Sequence, residues 1–89
     1  MNSDILKFRK KIDHLDDQII RLLHKRFQIV EKIGIIKKTE DIAFTQPHRI
    51  HEIIETRKKM ACEMGIPEDL IEKIYHLIIE ESINQEKKS

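Results

Sequence analysis

The 89-residue sequence has 17 Lys and Arg residues against 16 Asp and Glu residues, a formal net charge of +1. This balance gives no electrostatic argument for binding to nucleic acid or to a membrane surface. Few Gly, Pro and aromatic residues and abundant Ile, Leu, Lys and Glu are typical of an all-α protein. The single Cys62 excludes an internal disulfide. Without a secretory segment or a membrane-spanning apolar run, we expect one cytoplasmic domain over residues 1–89.

The first predicted element is a long helix over about residues 4–38. Its apolar seam has alternating spacings of three and four, which is the pattern of a helix that packs along its whole length. The seam consists of Ile5, Phe8, Ile12, Leu15, Ile19, Leu22, Ile29, Ile33 and Ile36. Such a helix is roughly 50 Å long, whereas a compact domain of this size is only about 30 Å across. We therefore expect a homodimer in which the first helices of two chains pack together.

One position of this seam carries a charge. The spacing requires an apolar residue at position 26, between Leu22 and Ile29, but the sequence has Arg26. A buried guanidinium is costly without an anionic partner. Arg26 therefore either forms a structural ion pair and sets the helix register, or contacts a negatively charged ligand. The candidate ion-pair partners are Asp13, Asp16, Asp17 and Glu31.

Two shorter helices are predicted after a loop over residues 39–45. The second covers residues 46–64, with Pro47 in its first turn and Gly65 just beyond its end. The third covers residues 67–86 and begins with acidic residues that favour a helix N-terminus. Nothing in the sequence predicts a strand. The expected fold is thus all-α, with one long and two shorter helices.

Further polar residues lie at the edges of the predicted apolar faces. Lys37 follows Arg26 by eleven residues, close to three turns, so the two side chains lie on nearly the same side of the helix. Arg49 lies in the first turn of the second helix. Ser82 continues the apolar stripe of the third helix, and Glu86 lies one turn beyond it. These residues could surround a small dianion.

Arg9 also flanks the first-helix seam, but about 25 Å from Arg26 along the same helix. In an antiparallel pair of first helices crossing near Ile20, Arg9 of one chain would lie opposite the stretch between Arg26 and Lys37 of the other. This geometry permits two sites per dimer, each built from both chains.

Three stretches of the sequence carry a family pattern; they are LKFRKKIDHLDDQIIRLLHKRFQIVEKIGIIKK, TQPHRI and LIIEES. Through them the chain resembles the all-α class of chorismate mutases from Ile5 to Glu86. The resemblance implies an intertwined homodimer of three-helix chains and an isomerase that converts chorismate to prephenate without a metal or cofactor. By position, the implied substrate-binding residues are Arg9 of the partner chain and Arg26, Lys37, Gln46, Arg49, Ser82 and Glu86.

The resemblance also implies a role for each residue. Arg9, Arg26 and Arg49 would hold the substrate carboxylates, with Ser82 supporting them. Arg26, Lys37 and Glu86 are the residues assigned to catalysis. Lys37 would stabilise negative charge on the breaking ether oxygen, and Glu86 would donate to that oxygen when protonated. The reaction is pericyclic, which is consistent with a sequence that lacks a catalytic triad, a zinc motif and a phosphate loop.

Three positions depart from the commonest family pattern. Ile50 stands where an acidic residue is common, Gln46 where Asp is frequent, and Glu86 where Gln is frequent. The aliphatic residue after Arg49 is more typical of the related isochorismate-pyruvate lyases, which share the fold and produce salicylate and pyruvate. The alternative hypotheses are therefore such a lyase, or a non-enzymatic helical dimerisation module in which Arg26 only sets the register.

Overall fold

The computed structural model describes residues 2–89. Its elements are three helices, α1 (Ser3–Thr39), α2 (Pro47–Glu63) and α3 (Glu68–Lys88), and no strand occurs within the described range. The predicted all-α class, with one long and two shorter helices, is therefore confirmed. In this part of the chain, no helix combines the length and apolar character needed to cross a membrane.

Local sequence signals explain both ends of α1. The side chain of Asn2 accepts hydrogen bonds from the backbone N–H groups of Asp4 and Ile5, at 2.7 and 3.3 Å, and so caps the first turn. At the other end Asp41 adopts a left-handed conformation with φ of 55°, which Asp tolerates better than most residues. The N–H of Ile42 then donates to the carbonyl of Lys37 at 2.8 Å, which closes the helix end.

Gly65 ends α2 as the sequence predicts. Its φ of 74° is left-handed, a conformation that costs glycine little. The N–H of Gly65 donates to the carbonyl of Cys62 at 3.1 Å, and the N–H of Ile66 donates to that of Ala61 at 2.8 Å. These two bonds form a Schellman motif, which turns the chain directly into α3.

The third helix holds the fold together. It packs against both α1 and α2, whereas no Cα atom of α1 lies within 8 Å of one in α2 among the described residues. The buried apolar core is small and consists of Val30, Ile53, Ile54, Ala61 and Ile79. Because the backbones of α1 and α2 stay apart on α3, a gap remains between them, and α3 forms its floor.

The N-terminal half of α1 has no cover within the chain. Its large apolar side chains are exposed; they include Ile5, Leu6, Phe8, Ile12, Leu15, Ile19, Ile20 and Leu22. The chain measures 57 Å along its longest axis, and its radius of gyration is 16.7 Å. A compact chain of this length would have a radius of gyration of about 12 Å. The single chain therefore leaves most of the predicted seam open.

Candidate active site

A cavity of about 300 Å³ occupies the gap between α1 and α2. Its polar lining consists of Arg26, Lys37, Gln46, Arg49, Ser82 and Glu86. Its apolar lining consists of Val30, Ile33, Phe44, Ile50, Ile53, Ile79 and Ile83. A mostly apolar wall with a few convergent polar groups is the usual form of a small-molecule site. The fold thus brings together six of the seven residues singled out from the sequence.

Arg26 is held by a serine on the facing helix. Its Nη1 atom donates to Oγ of Ser82 over 2.6 Å, and Ser82 is buried. The hydroxyl of Ser82 in turn donates to the carbonyl of Ile78 at 2.7 Å. A hydroxyl has one proton to donate, so Ser82 acts as an acceptor towards Arg26. This contact orients the guanidinium, whose further N–H groups are suited to a carboxylate.

The structural ion pair considered for Arg26 does not form. Among residues 2–89, no carboxylate pairs with Arg26. Asp17, one of the candidate partners, pairs instead with Arg21 at 2.8 Å on the exposed side of α1. Arg26 therefore brings a positive charge to the pocket wall, and no carboxylate in the described part of the chain neutralises it.

The surroundings of Arg26 disfavour its charge. Burial lowers the pKa of the Arg26 guanidinium from its ordinary value; Tyr75 opposes this shift, and the nearby cations Arg57 and Arg49 add to it. An arginine stays protonated in proteins despite such a shift. An anion bound beside Arg26 would therefore relieve an unfavourable local accumulation of positive charge.

Lys37 and Glu86 form a second polar pair at the other end of the pocket. The Nζ atom of Lys37 lies 2.6 Å from Oε1 of Glu86, and the two side chains are only 14% and 8% exposed. Nζ also donates to the carbonyl of Phe44 at 3.0 Å. Lys37 therefore ties α1 both to the last turns of α3 and to the loop that leads into α2.

The remaining two polar residues lie at the start of α2. Gln46 precedes Pro47 and occupies the N-cap position, but its side chain does not cap the helix; it lines the pocket instead. Arg49 lies at the rim, where its guanidinium pairs with Glu52 one turn later. Both side chains of this pair are at least half exposed. Ile50 lines the same wall and offers no polar group.

Arg9 is absent from this pocket. It lies in the exposed N-terminal half of α1, about 25 Å along the helix from Arg26. The chain does not bring Arg9 to its own cavity, so its contribution from a partner chain stays a prediction.

Sequence reasoning missed some residues that contribute to the pocket or contact its polar side chains. Phe44 acts through its backbone carbonyl, for which no side-chain pattern exists. Val30 is buried in the pocket wall, although it lies beside the predicted seam instead of in it. Glu52 could have been found, because residues three apart face each other on a helix and Glu52 is three residues after Arg49.

These features define a class of protein: an all-helical chain with a pocket lined by three cationic side chains and one carboxylate. Within residues 2–89, no group of three or more His, Cys, Asp or Glu residues could hold a metal ion. The chain belongs to the chorismate mutase type II family, whose sequence model matches residues 8–87.

Individual relatives resemble the chain over most of its length. The T-protein of Enterobacter agglomerans is 30% identical over 86 residues, which are 97% of this chain and 23% of the relative. A bifunctional chorismate mutase/prephenate dehydratase of Aquifex aeolicus is 33% identical, with 97% and 25% covered. A chorismate mutase of Methanocaldococcus jannaschii is 29% identical, with 90% and 81% covered. The chain thus spans about a quarter of the first two relatives and most of the third.

Proposed function

We propose that this chain is a chorismate mutase that rearranges chorismate to prephenate, on the route to phenylalanine and tyrosine. The observation that carries the proposal is the charge of the pocket. Arg26, Lys37 and Arg49 line a cavity of about 300 Å³ together with one carboxylate, Glu86. Glu86 pairs with Lys37 and Glu52 with Arg49, so the local excess of positive charge is that of Arg26. Chorismate is a dicarboxylate that would bind Arg26 and compete with Glu52 for Arg49. The names of the Aquifex and Methanocaldococcus relatives support the same activity.

Arg26 and Arg49 supply the carboxylate contacts in the proposed mechanism. A guanidinium can bind a carboxylate through two parallel hydrogen bonds, which determine orientation as well as affinity. Ser82 aims the guanidinium of Arg26 at the pocket, while Arg49 approaches from the rim. Binding the two carboxylates in this way favours the compact conformer in which the reacting carbon atoms lie close together.

Lys37 and Glu86 act on the ether bond that breaks. As the carbon–oxygen bond lengthens, negative charge develops on the oxygen, and the ammonium group of Lys37 stabilises it. Glu86, when protonated, donates a hydrogen bond to the same oxygen. The apolar wall keeps the surroundings poor in water, which strengthens both interactions. No atom leaves and no covalent intermediate forms, because the rearrangement is pericyclic.

The working unit in this proposal is an intertwined homodimer in the cytoplasm. The exposed apolar seam of α1 and the extended shape of the single chain support a partner of the same sequence. A second α1 packed along the seam would cover apolar area at about 25 cal/mol for each Å² removed from water. It would also carry the partner's Arg9 to the open side of the pocket, where a third arginine completes the binding of the carboxylates.

Product analysis tests the activity. The purified chain is incubated with chorismate and, separately, with isochorismate, and the products are identified by chromatography and mass spectrometry. An Arg26→Leu preparation purified in the same way controls for contaminating host enzymes. We expect prephenate from chorismate with the wild-type chain alone. Absence of turnover of both substrates would contradict the proposal.

A lyase acting on isochorismate is the second candidate. The observation that favours it is Ile50, an aliphatic residue in the pocket wall beside Arg49. The same incubation separates the two candidates, since salicylate and pyruvate from isochorismate would identify the lyase.

Complementation between inactive chains tests the shared site. Chains with Arg9→Ala and chains with Arg26→Leu are unfolded and refolded together. If each site combines Arg9 of one chain with Arg26 of the other, half of the sites in a mixed dimer are intact, and roughly a quarter of wild-type activity should return. The control mixture pairs Arg26→Leu with Glu86→Ala, two residues of the same pocket. Every site of this control mixture keeps a defect, so no activity should be restored.

A further inference from the structure

Gly34 marks a close approach of the α1 and α3 backbones. A Cβ atom at this position would lie 2.5 Å from the carbonyl oxygen of Glu86, 2.7 Å from its Cα and 2.9 Å from its carbonyl carbon. All three are backbone atoms, so no rotamer change could remove the overlap. The two helices lie this close only because residue 34 has no side chain.

The contact falls beside the pair of residues that acts on the ether bond. Gly34 precedes Lys37 by three residues on the same face of α1. Its neighbour across the interface, Glu86, is the residue whose carboxylate lies 2.6 Å from Nζ of Lys37. The backbone contact at Gly34 therefore determines the position of the Glu86 backbone. That position places the Glu86 carboxylate at a short distance from Nζ of Lys37.

We infer that Gly34 is a positioning residue that sets the separation of α1 and α3 at Lys37 and Glu86 and thereby the rate of the chemical step. The inference rests on the proposed chorismate mutase activity. The inference goes beyond that activity because it assigns an effect on the reaction rate to a residue that contacts no substrate.

Arg26 and Ser82, the other polar pair of the pocket, lie too far from Gly34 to be displaced by a change at that residue. Arg26 is eight residues before Gly34, about 12 Å along α1 by helix rise. Ser82 is a full turn before Glu86 on α3 and is held there by its bond to Ile78. Because α3 ends at Lys88, its last turn can move without displacing the rest of the helix. A disturbance at Gly34 should therefore affect the ether-bond residues and spare the carboxylate contacts.

The test is the Gly34→Ala variant, with kcat and KM for chorismate measured separately. Restoring an ordinary contact would shift the backbone of Glu86 by about 1 Å, and a displacement of this size can cost about 100-fold in rate. We expect kcat to fall by about 10- to 100-fold. We expect KM, and the affinity for added prephenate, to change by less than about threefold, since the Arg26 site is unaffected.

A double-mutant cycle distinguishes positioning from general damage. In a Glu86→Ala background there is no carboxylate to misplace, so adding Gly34→Ala should leave kcat almost unchanged. Gln28→Ala, an exposed position on the same helix outside the pocket, is the matched control and should behave as wild type. Circular dichroism and size-exclusion chromatography establish that each variant has the wild-type fold and size.

Each outcome has a defined meaning. An inactive wild-type chain would refute the proposed function itself. With an active wild type, the inference is overturned if Gly34→Ala keeps its kcat, or if it lowers kcat equally with and without Glu86. It is also overturned if Gly34→Ala does not fold, because Gly34 would then be required for packing as a whole. A loss of prephenate affinity equal to the loss of kcat would likewise contradict it.

Discussion

The guanidinium of Arg26 and the hydroxyl of Ser82 lie 2.6 Å apart across the interface of α1 and α3, with the serine as acceptor. The serine proton is directed to Ile78 on its own helix, at 2.7 Å. Ser82 therefore stabilises a charged donor that has no carboxylate partner in residues 2–89. We therefore expect Ser82 to support substrate binding by orienting the guanidinium of Arg26.

Replacing Ser82 with alanine should weaken substrate binding. The guanidinium would lose an acceptor, and hydrogen bonds to charged groups contribute about 1.5–3 kcal/mol. We expect KM for chorismate to rise by about 10-fold or more, with a smaller change in kcat. Ser89→Ala is the matched control, because Ser89 makes the same type of bond to Gln85 but lies away from Arg26. An unchanged KM in Ser82→Ala would contradict this role.

Replacing Arg26 with leucine separates an enzyme from a dimerisation module. We expect turnover to fall by at least about 1,000-fold, because the principal carboxylate contact is lost. The melting temperature should stay level or rise, since leucine fits the apolar seam and removes a partly buried charge. Arg21→Leu removes an exposed arginine of the same helix and should retain activity. A stability loss of several kcal/mol in Arg26→Leu would instead indicate a structural role.

Replacing Glu86 tests its proposed contact with the ether oxygen. The carboxylate lies 2.6 Å from Nζ of Lys37, the other residue assigned to that oxygen. Glu86→Gln keeps a hydrogen-bonding group of the same shape, so kcat should stay within about tenfold of wild type, whereas Glu86→Ala should lower kcat by about 100-fold. The measurement is kcat for chorismate in both variants. A wild-type kcat in Glu86→Ala would remove Glu86 from this role.

Glu52 should compete with the substrate for the guanidinium of Arg49. Arg49 lies at the pocket rim, and its guanidinium is engaged by Glu52. Exposed ion pairs are worth roughly 0.2–1 kcal/mol. Glu52→Gln should therefore lower KM by about two- to fivefold and change the free energy of unfolding by less than about 1 kcal/mol. Glu55→Gln removes a second exposed carboxylate of α2 and controls for the change in net charge. A higher KM in Glu52→Gln would mean that Glu52 instead steadies Arg49 in its binding position.

Local signals predicted the helices well. The spacing of apolar residues, with Pro47 and Gly65, predicted the start and the end of α2, because these features act through the chain's own backbone. The end of α1 was harder to predict. Asp41 takes the left-handed position there, and no glycine marks it.

The candidate site was partly accessible from sequence. Arg26 interrupts a regular pattern, and Lys37 follows it at helical spacing, so both could be singled out without a structure. The contact of Ser82 with Arg26 could not be predicted from spacing in the same way. Which group accepts and which donates depends on neighbours from other turns and helices, and these are defined only once the helices pack.

Three features can be read from the amino-acid sequence alone: the chain forms three helices, one helix is too long for a single compact domain, and a charge interrupts the apolar seam of that helix. Helical periodicity and capping are local, so they can be deduced residue by residue. Packing of the helices is needed to place α1 and α2 apart on α3 and to bring polar residues of three helices and one loop to a single cavity. Packing also brings Gly34 against the backbone of Glu86. Those relationships join positions far apart in the chain, and their distances follow from how side-chain volumes pack between helices.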